Sequence, residues 1–584
     1  MPDQKQSVAE SAELIFDGFI KYNEAFYRIT ERARRRFEQR DWAGHQKDIV
    51  YRIDLYEKSV RRIVLALRRL LGAKVMERVL WSDVRGYFGD RIDDIPDVGF
   101  IKTFFNSVTR RIFGTVGIDP QVEFVTPAPE EEGRSLQRLS LKHYPYWHSM
   151  KYIFEKTLTD FSFRIAYKDK LADCAYIAAE VEQQLRIYME EGDEVLRFEF
   201  IDSFFYQSAR AYLVGRIILR NQILPIVIAL RNDKDGICVD AVLTSEEEVS
   251  IVFSYTRSYY FADPSSVMGA VYFLHSILPR KPLDELYTVL GRLRQGKTER
   301  YRIFTRHMNN TDHKFVHAAG DKGLVMIVFN LPSYDLVFKI IRDRFGHPKT
   351  VTRQDVIDKY KLVSKHDRAG RLIDTQEFRN LEFPVERFAP ELLDELTGAA
   401  TQTVHIKRNK LVIDHVYIER RVRPLNLYIN EVNRQEAELA IIDYGQTIKD
   451  LAHSNIFPGD LLLKNFGVTK HRRVVFYDYD EVALVTECNF RDIPTPRDDE
   501  DTMRQDNWFY VGERDMFPEE FIKFLSMNDH LRSLFLEVHG ELLTAGYWRE
   551  IKERHLSGDI SLVVPYYRPV ISRRNIAPAN PPAV

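Results

Sequence analysis

A chain of 584 residues is too long for one hydrophobic core and, at roughly 150 residues per domain, predicts about two to four compact units. With 45% hydrophobic and 29% charged residues it has the composition of a folded soluble protein. Its 84 Lys and Arg nearly cancel its 86 Asp and Glu, which excludes an overall field that would hold the chain on nucleic acid or an anionic membrane.

The periodicity is helical from about residue 8 to 190. Ile15, Phe19, Tyr22, Phe26 and Ile29 fall on one face, as do Tyr56, Val60, Ile63, Leu67 and Leu70 before a stop at Gly72. The basic turns Arg34 to Arg36 and Arg68 to Arg69 are interleaved with Glu and read as solvated helix surface. From about 196 to 256 the pattern becomes short β-rich runs, Val214 to Leu219, Ile223 to Leu230, Ile237 to Leu243 and Val249 to Phe253, which predict a small antiparallel sheet. Asp233 to Gly236 resembles a calcium loop, but Arg231 and Val242 stand where carboxylates are needed, so a hairpin turn is expected. Helical segments resume from Pro264 to about Leu293, the charged stretch Arg294 to Arg300 reads as a domain linker, and the Pro/Ala-rich end from Asn575 reads as a disordered tail.

Cys174, Cys238 and Cys488 have neither CxxC nor metal-site spacing, so no disulfide framework or structural zinc is expected and a reducing cytoplasm fits. The first 30 residues lack a continuous apolar stretch, and no window approaches the ~18 uncharged apolar residues of a membrane span.

Chemistry concentrates in Phe457-Pro-Gly-Asp-Leu-Leu-Leu-Lys-Asn465-Phe-Gly467 and Arg473-Val-Val-Phe-Tyr-Asp478-Tyr-Asp480-Glu481. Asp460 and Asn465 have the D-L-x-x-x-N spacing of a kinase catalytic loop, and Asp478 closes an apolar strand. Phosphoryl transfer needs cations held against the phosphates by an amide oxygen and a carboxylate, roles that fit Asn465 and Asp478. It also needs a carboxylate beside the incoming hydroxyl, which fits Asp460, and a nearby cation to neutralise transferred charge, which fits Lys464.

Upstream, Ala318-Ala319-Gly320-Asp321-Lys322-Gly323-Leu324 precedes the strand-like run Val325 to Phe329 and forms a candidate phosphate loop. Lys339, in the apolar strand Leu336 to Ile341, is a candidate partner of the α/β-phosphates. Leu411 to Ile418 reads as a further strand running into Glu419-Arg-Arg421, where a kinase hinge would offer backbone groups to adenine. A helix from Glu436 to about His453 leads to the catalytic loop.

The strings Val337 to Phe345, His366 to Arg371, Asp374-Thr-Gln-Glu-Phe378, Tyr417 to Arg421, Asn455 to Asp460, Lys464 to Thr469, Val475 to Glu481, Asn489 to Pro494 and, earlier, Ser250 to Tyr259 resemble the isocitrate dehydrogenase kinase/phosphatase family over almost the whole chain. That resemblance implies an α+β protein: a mainly helical N-terminal regulatory domain with a small antiparallel sheet (1–300), a two-lobed protein-kinase-like domain (301–575) and a tail (576–584). It implies a bifunctional cytoplasmic enzyme that phosphorylates a serine of NADP-dependent isocitrate dehydrogenase, removes that phosphate, and so controls flux into the glyoxylate bypass. ATP, or ADP in the phosphatase direction, Mg2+ or Mn2+, and AMP as an allosteric ligand are the implied small molecules. No nucleic acid or membrane partner is implied, and a homodimer is left open. The family's active-site aspartate corresponds to Asp374.

The sequence departs from ordinary kinases in lacking His-Arg before Asp460 and in replacing Asp-Phe-Gly by Asp-Tyr-Asp. The helix expected from Thr352 to His366 has no Glu for Lys339, leaving Asp355, Asp358 or Glu377 as candidate partners. Asp480 and Asp374 are additional carboxylates, either of which could orient water in a dephosphorylating step. A small-molecule phosphotransferase of kinase-like fold would use the same Lys339, Asp460, Asn465 and Asp478, and is the second reading.

Overall fold

The computed structural model describes residues 2–93, 95, 97–125, 138–147, 149–189, 192–254, 260–347, 351–366, 370–494, 509–558 and 566. The expected tail 576–584, and residues 255–259 and 367–369 of the motif strings, lie outside the described residues.

The first part is helical as patterned, with helices Pro2–Glu38, Trp42–Leu71, Arg78–Ile92, Val98–Phe113, Met150–Asp160 and Lys170–Tyr188. Ile15, Phe19, Tyr22, Phe26 and Ile29 are all buried on one stripe, where Tyr22 and Tyr56 pack on Phe104 at ring-centroid distances of 5.7 and 5.4 Å. Gly72 ends the second helix, its N–H donating to the Arg68 carbonyl.

One strand, β1 (Leu141–Pro145), interrupts the region expected to be helical. It is the edge of the sheet and only Tyr144 along it is buried, so it has almost no apolar alternation to read. It joins β2 (Val195–Ile201), β3 (Phe205–Gln207), β4 (Arg210–Leu219), β5 (Ile223–Asp233) and β6 (Gly236–Leu243) in an antiparallel sheet ordered β1-β2-β4-β5-β6, with β3 on β4. Asp233 to Gly236 forms the β5–β6 hairpin turn. Val249 to Val252 of the run expected as strand lie in helix Glu246–Val252 instead, with Phe253 as its C-cap. Ser245 and Glu248 form a reciprocal capping box that commits the segment to helix.

The charged stretch Arg294 to Arg300 lies inside helix Leu293–Asn309 rather than in an irregular connection. This helix inserts Phe304 among the rings of the next sheet, 5.4 Å from Phe338 and 6.2 Å from Phe315. That sheet contains β7 (Val316–His317), β8 (Met326–Asn330), β9 (Leu336–Ile341), β10 (Thr375–Pro384), β11 (Val404–Lys407) and β12 (Lys410–Arg420). Its order is β10-β12-β9-β8-β7, with β11 on the free part of the β12 edge. Helix Arg353–His366 follows β9, and helix Pro390–Ala399 is inserted between β10 and β11.

After β12 the chain crosses through β13 (Arg423–Pro424) into a mainly helical lobe that begins with helices Leu425–Glu431 and Arg434–His453. The short strands β14 (Ile456–Phe457), β15 (Phe466–Val468), β16 (Val474–Phe476) and β17 (Ala483–Leu484) follow helix Arg434–His453 and pair as β13-β15-β16 and β14-β17. Helices Asp529–His539 and Ala545–Leu556 complete the lobe around Trp548 and Tyr444. Tyr566 returns to the first sheet, its hydroxyl donating to Asp240 at 2.6 Å beside Arg210. Among the described residues no helix is long and apolar enough to cross a membrane.

Candidate active site

Alternation along paired strands puts Val337, Lys339, Tyr417 and Glu419 on one face of the sheet, since Tyr417 lies opposite Lys339 and Glu419 opposite Val337. There the Lys339 ammonium lies 2.7 Å from the Glu419 carboxylate, with both side chains buried. Lys339 also donates to the Tyr477 carbonyl at 2.8 Å, and Thr375 on β10 donates its hydroxyl to the second Glu419 oxygen at 2.8 Å. Burial pushes the Glu419 carboxyl up, while the Lys339 charge opposes that shift.

None of the three partners considered for Lys339 serves. Asp355 accepts from Thr352, Asp358 from Gln354 and Lys361, and Glu377 pairs with Arg379 and His415. Glu419 was expected in the hinge segment; it lies within β12, which continues through Arg420, and its side chain is taken up by Lys339. The crossover starts at Arg421, whose guanidinium bonds Asp335 at 3.0 Å and whose N–H donates to the Asp335 carbonyl at 3.0 Å.

The second lobe brings its chemistry to the same point. Tyr477 N–H donates to the Asn465 carbonyl at 3.1 Å, and the Asn465 amide reaches the Asp460 carbonyl at 3.5 Å. The Tyr477 hydroxyl donates to the Lys464 carbonyl. Pairing of β14 with β17 draws the Asp460 loop toward the segment after Asp478. Gly459, at φ +81°, permits this closure: a Cβ there would lie 2.7 Å from both the Cβ and the carbonyl oxygen of Glu481. Asn465 and Asp480 are buried, Asp460 and Asp478 are half-buried, and Lys464 is exposed.

Ala318 to Leu324 span the turn between β7 and β8. Ala318 N–H donates to the Val328 carbonyl at 3.0 Å, Ala319 and Leu324 are exposed, and Gly320 takes φ +116°, a region reserved for glycine. The loop lies over the crossover, a Cβ at Gly320 falling 3.8 Å from Pro424. It also reaches the other lobe, where Asp321 lies 3.5 Å from the Lys464 ammonium. Lys322 pairs with Glu395 at 2.9 Å, and Gly323 accepts from Arg342 at 3.0 Å.

Asp374 approaches from a different side. The segment before it pairs with β16: Phe476 N–H donates to the Arg371 carbonyl at 2.7 Å and Ile373 N–H to the Phe476 carbonyl at 3.1 Å. Buried Arg371 is fixed by Asp443 and Asp450 at 2.8 and 2.7 Å. The Asp374 carboxylate accepts from Gln376 at 3.0 Å and lies 3.5 Å from Arg300, which pairs with Asp284 at 2.7 Å. Beside this group, Arg420 pairs with Glu285, so helices of the first half supply charges to one end of the β10–β12 pair, where Thr375 lies opposite Glu419.

Lys339, Tyr477, Asn465 and Asp460 are therefore joined by one chain of hydrogen bonds, and Asp478 follows Tyr477 directly. Neither Tyr477 nor the Lys339–Glu419 pairing was legible in the sequence; the one signal for Tyr477 is its place immediately before Asp478. For a divalent cation the amide of Asn465 and the carboxylates of Asp478 and Asp480 are hard oxygen donors of the right kind. Among the described residues no group of three or more His, Cys, Asp or Glu forms a cage by itself.

A sheet ordered β7-β8-β9-β12-β10, a helix between β9 and β10, a crossover, and a helical lobe presenting Asp460, Asn465 and Asp478 define a protein-kinase-like domain. Family models agree and are more specific: residues 313–568 match the isocitrate dehydrogenase kinase/phosphatase (AceK) kinase domain and residues 12–312 its regulatory domain. The chain belongs to the isocitrate dehydrogenase kinase/phosphatase family. It is 44% identical to the isocitrate dehydrogenase kinase/phosphatase of Anaeromyxobacter sp. (strain Fw109-5) over 569 residues, covering 97% of this chain and 98% of the relative. It is 42% identical to that of Xanthomonas euvesicatoria pv. vesicatoria (strain 85-10), with the same coverage. Membership of a kinase family carries with it the use of ATP and a divalent metal.

Proposed function

We propose that this chain phosphorylates a serine of NADP-dependent isocitrate dehydrogenase and, in the same cleft, removes the phosphate, controlling flux into the glyoxylate bypass from the cytoplasm. The names of its relatives support the substrate. The observation that carries the single-cleft reading is the chain of bonds from Lys339 through Tyr477 and Asn465 to Asp460.

In this reading Lys339, held by Glu419, faces the α/β-phosphates, and the loop Ala318 to Leu324 covers them with backbone N–H groups. The crossover from Arg421 offers main-chain groups to adenine. Asn465 and Asp478 would hold Mg2+ or Mn2+, which would supply positive charge against the phosphates. Asp460 orients the seryl hydroxyl and takes its proton, and Lys464 neutralises the transferred group. In the phosphatase direction, with ADP retained, Asp480 orients water against the phosphoserine. Asp374, tied to Arg300, is placed to register the state of the helices in the first half. We assign 1–300 as regulatory, with AMP as its ligand, and 301–575 as catalytic.

The test is to incubate the protein with ATP, magnesium and isocitrate dehydrogenase and follow phosphate incorporation together with dehydrogenase activity. Incorporation with loss of activity, reversed when ADP replaces ATP, is the expected result. Absence of incorporation, with ATP consumed in the presence of small hydroxyl acceptors, would favour a small-molecule phosphotransferase.

A further inference from the structure

Glu395 lies on helix Pro390–Ala399, apart from Lys339, Asp460, Asn465 and Asp478, yet two cations and a histidine from separate points around the β7–β8 loop converge on it. His317 at the end of β7 lies 2.6 Å from one oxygen; Lys322, inside the loop, lies 2.9 Å from the other, which Arg342 just after β9 also contacts at 2.5 Å. Arg342 extends the connection, since its side chain donates to the Gly323 carbonyl at 3.0 Å and its N–H to the Val325 carbonyl at 2.9 Å. The carboxylate is mostly enclosed, and the helix that bears it is anchored by Leu392 and Leu396, both fully buried in the first lobe's core. Burial alone would raise the Glu395 carboxyl, but Lys322, Arg342 and His317 together hold it down at about 2.

We propose that Glu395 is a positioning residue for the nucleotide loop: it fixes Lys322 directly and Gly323 through Arg342, and so sets the height of Gly320 and Asp321 above the cleft. The inference rests on reading Ala318 to Leu324 as the nucleotide loop. Its chemistry differs from that of a simple phosphate-binding lysine, because the Lys322 charge is spent on Glu395 and steadies the backbone whose N–H groups meet the phosphates. Asp321 with Lys464 forms the second tether, so the loop is held from above by the inserted helix and from below by the catalytic loop.

The experiment compares Glu395→Gln with Gly320→Val in the full chain, measuring KM for ATP, kcat for phosphate incorporation, binding of a fluorescent ATP analogue, and the melting curve. Loss of charge-assisted hydrogen bonds predicts a rise of about tenfold in KM and in the analogue's Kd for Glu395→Gln, with a much smaller change in kcat. Lys322→Met added to Glu395→Gln should then have little further effect. If Gly320→Val raises KM while Glu395→Gln leaves KM and Kd within about twofold, the Glu395 inference is overturned and the loop reading stands. If Gly320→Val itself leaves both unchanged, the loop reading has failed. Should Glu395→Gln unfold, Arg342→Lys, which keeps the charge but loses the donation to Gly323, carries the same expectation with a smaller rise in KM.

Discussion

The Lys339 ammonium and the Glu419 carboxylate, 2.7 Å apart and both buried, pair across two neighbouring strands of one sheet, not between a strand and the helix that follows it. The arrangement makes the lysine's position independent of helix Arg353–His366, which docks by stacking Tyr360 on Tyr417 at 4.1 Å.

Removing one partner leaves a buried charge without compensation. Lys339→Met and Glu419→Leu should each lower stability by about 3–5 kcal/mol, and the double variant should lose less than the sum. Chemical denaturation of the four proteins measures this; additive losses would show that the two groups do not depend on each other. Both single variants should also lose phosphate incorporation, with Lys339→Met falling at least about a hundredfold if it carries charge to the phosphates.

The roles proposed for Asp460 and Asp480 predict different effects on the two directions of the reaction. Asp460→Ala should lower phosphate incorporation by about two to four orders of magnitude, the usual worth of a positioned base. Asp480→Ala should slow release of phosphate from phosphorylated isocitrate dehydrogenase at least about tenfold more than it slows incorporation. Parallel loss of both rates in Asp480→Ala would remove its separate role.

Arg300 joins the halves of the chain by pairing with Asp284 and Asp374, and all three are buried. Arg300→Met strands two carboxylates and should cost about 3–5 kcal/mol of stability. Charge-preserving Arg300→Lys should retain more stability but lower activity, because an ammonium cannot contact both carboxylates in the fork geometry of guanidinium. Wild-type turnover in a folded Arg300→Lys protein would show that Asp374 does not need that partner.

His45 gives a pH dependence with a definite sign. It is buried against Phe261 at a ring distance of 4.6 Å, and burial, reinforced by the Arg52 charge, lowers its pKa from 6.5 to about 3. Between those values the unfolded chain binds a proton that the folded chain does not, so stability falls as pH drops, by about 1.4 kcal/mol per pH unit for one proton. His45→Leu should flatten this limb of a stability-versus-pH curve between pH 6.5 and 3, and an unchanged slope would contradict the assignment.

Much of the cleft was readable because its residues are close in sequence or sit in strongly patterned elements. Asp460, Asn465 and Asp478 come from one loop and the next strand end, and Lys339 stands out as a charge within the apolar run Leu336 to Ile341. Glu419 could not be matched to Lys339 because the pairing depends on strand register across an insertion containing helix Pro390–Ala399 and β11. Its polar side chain near the end of β12 looked like the start of the crossover. Arg294 to Arg300 misled in the same way: a charged run suggested a linker, whereas Arg300 is buried and helical because two acids receive it. β1 was invisible because an edge strand with one buried residue carries no periodic signal.

The central claim, that one cleft performs both reactions, is tested most directly by Lys339→Met assayed in both directions on one preparation. Phosphate incorporation into isocitrate dehydrogenase from ATP, and phosphate release from the phosphorylated dehydrogenase with ADP, should both disappear while the protein remains folded by circular dichroism. Release that persists at the wild-type rate when incorporation is gone would place the phosphatase reaction elsewhere on the molecule.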